Sequence, residues 1–147
     1  MDAMSVDVSK PTRGKASRQW TAEERAARRA TRLIAYGHTT VDFSQGAIAA
    51  LMPFLVLQGG YSYAGAAGIM LTFSLVSSII QPVLGIMGDK WRMRWLIPVS
   101  VMLSGVGIAA IGLVSSYWAV AALASAAGIG VAAFHPASAS RAREVSG

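Results

Sequence analysis

The 147-residue sequence contains no cysteine, few charged residues and two long stretches without any charge. Without cysteine, neither disulfide bonds nor thiolate metal sites can form. Charged residues make up 14% of the chain, whereas soluble domains have about 25%. The sequence also lacks a glycine-rich phosphate loop, a nucleophile elbow and histidines at metal-ligand spacing. These absences argue against an enzyme, and they predict no cofactor, no metal site and no catalytic residue.

The uncharged stretches predict the fold. Residues 43–88 and 95–140 contain no Asp, Glu, Lys or Arg, which is 46 residues in each case. Each stretch fits two spans of roughly 20 residues joined by a short turn, the length that crosses about 30 Å of hydrocarbon. The chain is 54% hydrophobic, with a mean hydropathy of +0.49, and its helices lack the polar stripe of soluble amphipathic helices. We therefore expect an all-α integral membrane protein with four transmembrane helices, at residues 31–57, 63–88, 95–114 and 117–136.

The cationic residues predict the orientation of these spans. They cluster before the first span, between the second and third spans, and after the fourth: Lys10, Arg13, Lys15, Arg18, Arg25, Arg28, Arg29 and Arg32, then Lys90, Arg92 and Arg94, then Arg141 and Arg143. By the positive-inside rule, both termini and the middle loop are cytoplasmic in the cell inner (plasma) membrane. The same rule accounts for the sequence pI near 10.3, so we expect no nucleic-acid partner.

The segment 1–30 is predicted to be a cytoplasmic basic tail. Its first 19 residues are polar and poor in apolar side chains, which favours disorder. Thr21 and Glu24 then form the pattern of a capping box, which would start a helix that runs into the first span. This helix could rest on anionic lipid headgroups, or it could simply present a solvated face. No apolar stretch precedes residue 33, so we expect no cleaved signal peptide.

Small residues recur at four-residue spacing in the third and fourth spans. Such spacing lets the backbone of a neighbouring helix approach closely. Prolines inside or at the ends of spans can kink a helix that lines a cavity, or they can be packed kinks that do not move. The small residues are Gly105 and Ala109, then Ala124, Gly128 and Ala132, with Ala126 and Gly130 one face over; the prolines are Pro53, Pro82 and Pro136.

The loop at residues 85–94 reads Gly-Ile-Met-Gly-Asp-Lys-Trp-Arg-Met-Arg. It resembles the major facilitator superfamily signature, Gly-x-Leu-Ala-Asp-Arg-x-Gly-Arg-Arg, and it matches at Gly85, Asp89, the basic Lys90 and Arg94. Arg92 stands where the family has glycine. The glycine would let two helices touch, and the acid could cap the start of the third span while pairing with nearby cations.

Two further stretches are similar to the fosmidomycin-resistance-like branch of that superfamily. One is residues 37–55, with Gly-His, Asp, Gln-Gly and Leu-x-Pro-x-Leu in order; the other is residues 128–136, Gly-Ile-Gly-Val-Ala-Ala-Phe-His-Pro. The sequence departs from related proteins at two positions. Ala137 stands where they usually have glutamate, and Ala124 stands where many drug/proton antiporters carry an arginine.

The resemblance implies a twelve-helix transporter with two six-helix halves, each made of inverted three-helix repeats around a midplane site. Residues 31–147 would be part of its N-terminal domain, one triplet plus the first helix of the next. We therefore expect a fragment of a secondary active transporter, for proton-coupled efflux of a small molecule across the lipid bilayer. The alternatives are a non-transporting membrane remnant or assembly partner, or a small four-helix exporter that self-associates as a homodimer.

Two polar residues in the first span are the leading candidates for proton coupling. His38 and Asp42 are four residues apart, so they share one helix face. Asp42 is ten residues beyond Arg32, roughly 15 Å deep, where a carboxyl group must be neutral, paired or facing water. We expect Asp42 to carry a proton and His38 to relay it. The alternative is a structural tie that fixes the first helix, and Gln45 and His135 are further cavity candidates.

Overall fold

The structure is a computed structural model that describes residues 20–90 and 95–146, with side chains for 20–87 and 95–144. These residues form four helices and no strand: α1 (Ala22–Leu57), α2 (Tyr63–Lys90), α3 (Leu96–Ile111) and α4 (Tyr117–Ser146). Three of them, α1, α2 and α4, are long and apolar enough to cross a membrane. Helix α3 has 16 residues, or about 24 Å, so it is shorter than the hydrocarbon core.

Helix α1 begins where the sequence predicted. The Oγ1 atom of Thr21 accepts the backbone N–H of Glu24 at 3.1 Å, and the Glu24 carboxylate accepts the Thr21 N–H at 2.8 Å. This capping box is therefore confirmed, and it satisfies two backbone donors at the helix start. The helix then continues without a break for 36 residues, through the arginine-rich segment and into the first span.

Helix α3 ends three residues before the predicted end of its span. The N–H of Leu113 bonds to the carbonyl of Ala110 at 3.0 Å, and that of Val114 bonds to Ile111 at 3.4 Å. These bonds to the third residue back tighten the last turn and end the α-helix, as is common at helix C-termini. The loop between α1 and α2 turns at Gly60, whose φ of 70° favours glycine.

Helix α4 continues ten residues past the predicted end of the span at Pro136. The proline lacks a backbone N–H, yet the helix continues past it. Two residues on, the hydroxyl of Ser138 donates to the carbonyl of His135 at 3.0 Å. Beyond it, Arg141 pairs with Glu144 at 2.6 Å, three residues along the helix, which supports a solvated helical end. Pro53 and Pro82 likewise lie inside helices that continue past them.

The four helices alternate in direction, and α4 is the central one. It packs along α2 and α3 more extensively than along α1. Its fully buried side chains include Val120, Ala124, Ala127 and Phe134. Because membrane helices gain stability by close packing, small residues on α4 bring its backbone near both neighbours.

The glycines of α4 confirm the predicted close packing. A Cβ atom on Gly128 would lie 2.7 Å from the backbone oxygen of Phe73 on α2, and one on Gly130 would lie 2.6 Å from the backbone nitrogen of Ser104 on α3. The same prediction for Gly105 is wrong, because no heavy atom lies within 4 Å of a Cβ there. Its neighbour Gly107 is the residue that meets α4.

The ends of α2 and α4 are joined by aromatic side chains. The Tyr61 hydroxyl donates to the backbone oxygen of Ser115 at 2.9 Å, and the Tyr61 and Tyr117 rings are 5.8 Å apart. Trp118 lies 5.4 Å from Tyr117 and is 78% exposed. The structure thus gathers three aromatic rings at one end of the bundle, and such amphipathic rings suit a membrane interface.

Candidate functional site

The polar residues of α1 form one exposed stripe. His38, Asp42 and Gln45 follow one another at spacings of four and three, so they share a face, and all three are exposed. The Nε2 atom of His38 is 3.3 Å from a carboxylate oxygen of Asp42, and both side chains are about half exposed. We call these three residues the polar stripe. Within the described part of the chain, no hydrogen bond joins Gln45 to the other two.

A second face of α1, about a quarter of a turn from the polar stripe, packs against the bundle. Val41, Ser44 and Ile48 are buried, and their spacing of three and four places them on one face. The hydroxyl of Ser44 donates to the carbonyl of Thr40 at 3.0 Å, so this buried polar group is satisfied within the helix. The polar stripe therefore lies beside the packed face and stays exposed, with the His38 ring in contact with α4.

His135 of α4 lies beside His38. Their ring centroids are 5.3 Å apart with an angle of 71° between the planes, and the Phe134 ring lies 5.7 Å from His38. Gly37 permits this approach, because a Cβ there would lie 2.9 Å from the Phe134 ring. The sequence analysis predicted His135 only as a further cavity candidate, after His38 and Asp42. The structure instead joins the Gly-His pair of α1 to the Phe-His pair of α4.

The signature loop adjoins the same end of α4. A Cβ atom on Gly85 would lie 3.7 Å from Pro136, the residue after His135. This is an ordinary contact distance, so Gly85 lies where α2 contacts α4 without being required there by space. Asp89 and Lys90 belong to the last turn of α2, but their side chains and all of Arg94 lie outside the described residues. The proposed capping and pairing by Asp89 therefore stays a prediction.

An apolar groove between α1 and α3 was not predicted. The groove has a volume of about 570 Å³. Phe43 and Phe54 line it on the α1 side, and Ile108 and Gly112 line it on the α3 side. No titratable side chain lines it. The signal in the sequence was the run of small residues at Gly46, Ala47 and Ala50 on α1. A Cβ atom on Gly46 would meet no heavy atom within 4 Å, so this glycine borders open space rather than a close helix contact.

Comparison with known proteins agrees with the motifs that meet at α4. The family model described as Major Facilitator Superfamily matches residues 34–147. The chain belongs to this superfamily. The match confirms the resemblance inferred from the signature loop. No solved structure shows significant similarity to the chain.

Two curated relatives in the superfamily are similar to this chain. The Fosmidomycin resistance protein of Escherichia coli (strain K12) is 35% identical over 114 residues, which cover 78% of this chain and 28% of that protein. The uncharacterized MFS-type transporter YfnC of Bacillus subtilis (strain 168) is 30% identical over 104 residues, or 71% of this chain and 25% of that protein. The chain therefore spans about a quarter of the length of these relatives.

Proposed function

We propose that this chain is the N-terminal part of a twelve-helix, proton-coupled exporter of a small molecule. The superfamily match and the chain's coverage of 28% of the Fosmidomycin resistance protein support a part of a larger transporter. That relative is named for resistance to fosmidomycin, which is compatible with export of a compound from the cell. A transporter half needs the other half to alternate its access, so we expect function only together with the remaining helices.

The observation that carries this proposal is the exposed polar stripe on an apolar helix. An ionised carboxylate near the bilayer midplane costs about 2.5 to 3.5 kcal/mol even on the lenient insertion scale. A lipid-facing position for Asp42 is therefore unfavourable. The polar stripe is better placed against a water-filled cavity, which in this superfamily lies between the two halves. Its exposure in the described chain supports that placement.

In the proposed mechanism, the Asp42 carboxyl group carries the proton. When the cavity opens to the outside, Asp42 takes a proton from water and becomes neutral. The free-energy cost of holding this side chain in the low-dielectric interior then falls. When the cavity opens inward, the O–H of Asp42 donates its proton to Nε2 of His38, which is 3.3 Å away. His135, whose ring is 5.3 Å from that of His38, extends the path along α4.

The substitution Asp42→Asn tests this mechanism in the transporter with all twelve helices. Asparagine keeps the size and the hydrogen-bonding ability of the side chain but cannot exchange a proton. We expect normal abundance in the membrane and loss of export. Thr39→Ala is the control, because Thr39 is an exposed polar residue of the same helix whose hydroxyl donates to the Ala35 carbonyl, and it is not a titratable group. If Asp42→Asn instead lowers abundance, then Asp42 is a structural tie to His38.

We also propose that both termini and the middle loop face the cytoplasm. The clustering of cations supports this topology. Reporter fusions after Gly59 and Ser116 should be active only outside, and fusions after Trp91 and Gly147 only inside. An external reporter at Gly147 would mean an odd number of spans. In that case the short α3 would be the helix that fails to cross the membrane.

A further inference from the structure

Four arginines form a second stripe on α1, ahead of the apolar span. Arg25, Arg28, Arg29 and Arg32 are spaced by three, one and three residues, which places all four on one helix face. All four are exposed. The positive-inside rule explains why cations occur on this side of the span, but it does not require them to share a face. We call these residues the arginine stripe.

The arginine stripe points away from both the bundle and the polar stripe. Its face continues along α1 through Tyr36 and Phe43, which are 71% and 78% exposed. At 3.6 residues per turn, this face is about a third of a turn from the buried Val41 and Ile48, and about as far from Asp42 on the other side. Helix α1 thus has a packed face, a polar face and a cationic face that continues into exposed aromatic side chains.

The start of α1 is ordered so that the arginine stripe is held in place. The Arg28 guanidinium lies 3.3 Å from the centre of the Trp20 ring, and Nη1 of Arg25 donates to the Trp20 carbonyl oxygen at 2.6 Å. Together with the capping box at Thr21, these contacts fix the first turns. A ligand that binds the stripe would therefore not need to order the helix.

We propose that the arginine stripe binds the phosphate groups of anionic phospholipids in the leaflet next to Arg32. Arginine pairs with phosphate through parallel N–H···O bonds. Since α1 is continuous with its apolar span, Arg32 lies at the membrane border, and Arg28 and Arg29 lie about 5 Å further out, within the depth of the headgroup layer. Tyr36, one turn deeper, suits the interface. This position favours a lipid surface over a soluble polyanion.

The lack of native cysteine allows a direct test with the full chain. Leu33, which is 61% exposed and adjoins Arg32, is replaced by cysteine and labelled with a fluorophore. The chain is reconstituted in phosphatidylcholine vesicles that contain, at equal mole fraction, quencher-labelled phosphatidylglycerol or quencher-labelled phosphatidylcholine. We expect the phosphatidylglycerol quencher to be at least about two-fold more effective, since each cation near an anionic surface adds attraction.

Matched variants separate the arginine stripe from general charge. Arg29→Gln with Arg32→Gln removes two charges while sparing both residues that contact Trp20, and it should bring the quenching ratio close to one. Arg13→Gln with Lys15→Gln removes two charges ahead of the helix and should leave the ratio unchanged. A ratio near one in the starting protein would overturn the proposal. An equal drop in both variants would overturn it as well, because the attraction would then not depend on the stripe.

Discussion

Helices α4 and α1 show two ways in which a membrane helix can use its surroundings. Helix α4 is enclosed, with its small residues against the backbones of α2 and α3. Helix α1 packs on one face only and leaves both the polar stripe and the arginine stripe exposed. In α4 the spacing of small residues therefore reflects packing, whereas in α1 the exposed polar residues mark the proposed site.

The largest expected effect comes from filling the tight contact of α4. Gly130→Val would put its Cβ about 2.6 Å from the Ser104 backbone nitrogen, and backbone cannot move aside as a flexible side chain can. Overpacking of this kind typically costs about 1 to 3 kcal/mol, and occasionally more. We expect the variant to unfold at much lower SDS concentration, as followed by loss of helical circular dichroism.

Gly105→Val is the matched control for that measurement. It makes the same change on α3, where a Cβ meets no atom within 4 Å. We expect its SDS unfolding curve to overlay that of the unchanged chain. If the two valine variants were equally unstable, the enclosure of α4 would not be what makes Gly130 necessary.

A smaller effect is expected on the packed face of α1. Ile48 is completely buried, whereas Phe43 is 78% exposed. Truncation of Ile48 to alanine removes contacts that lipid cannot replace. We expect the free energy of unfolding to fall by about 1 to 2 kcal/mol, which is less than such truncations cost in water-soluble cores. Phe43→Ala should change the free energy of unfolding by less than about 0.5 kcal/mol, since exposed substitutions usually do. The same SDS titration distinguishes them.

The smallest effect is expected at the first turn of α1. Thr21→Ala removes the side chain that accepts the Glu24 N–H, and loss of such a cap costs about 1 kcal/mol. We expect faster hydrogen exchange at residues 22–26 and no change in the spans. Thr31→Ala is the control, because the Thr31 hydroxyl bonds only to the Ala27 carbonyl within the helix. Equal effects of both variants on the first turn would contradict the role of the cap.

The sequence was most informative where lipid restricts the choices. Uncharged runs long enough to cross the membrane predicted the helices, and the pattern at Thr21 and Glu24 predicted the start of α1. The spacing of small residues does not show which of them contacts a neighbouring helix. The predicted contact at Gly105 is therefore wrong, and Gly107 makes the contact with α4 instead. Helix α4 extends past Pro136 into a polar segment that contains Arg141 and Glu144, and a hydropathy pattern does not detect a helix in such a segment.

The candidate site was only half predictable. His38 and Asp42 could be paired because a helix stacks residues four apart. The approach of His135 to His38 depends on how α1 crosses α4, and on the space that Gly37 leaves for Phe134. Such crossings come from packing of elements far apart in the chain. The groove between α1 and α3 was missed for the same reason.

The central claim, that the polar stripe of α1 couples protons to transport, is tested most directly by following both movements in one vesicle preparation. The complete transporter and its Asp42→Asn variant are reconstituted, and substrate exchange without a gradient is measured beside substrate-driven proton movement, reported by a trapped pH dye. We predict that Asp42→Asn keeps the exchange but moves no protons. Proton movement at the unchanged rate in Asp42→Asn would contradict the claim.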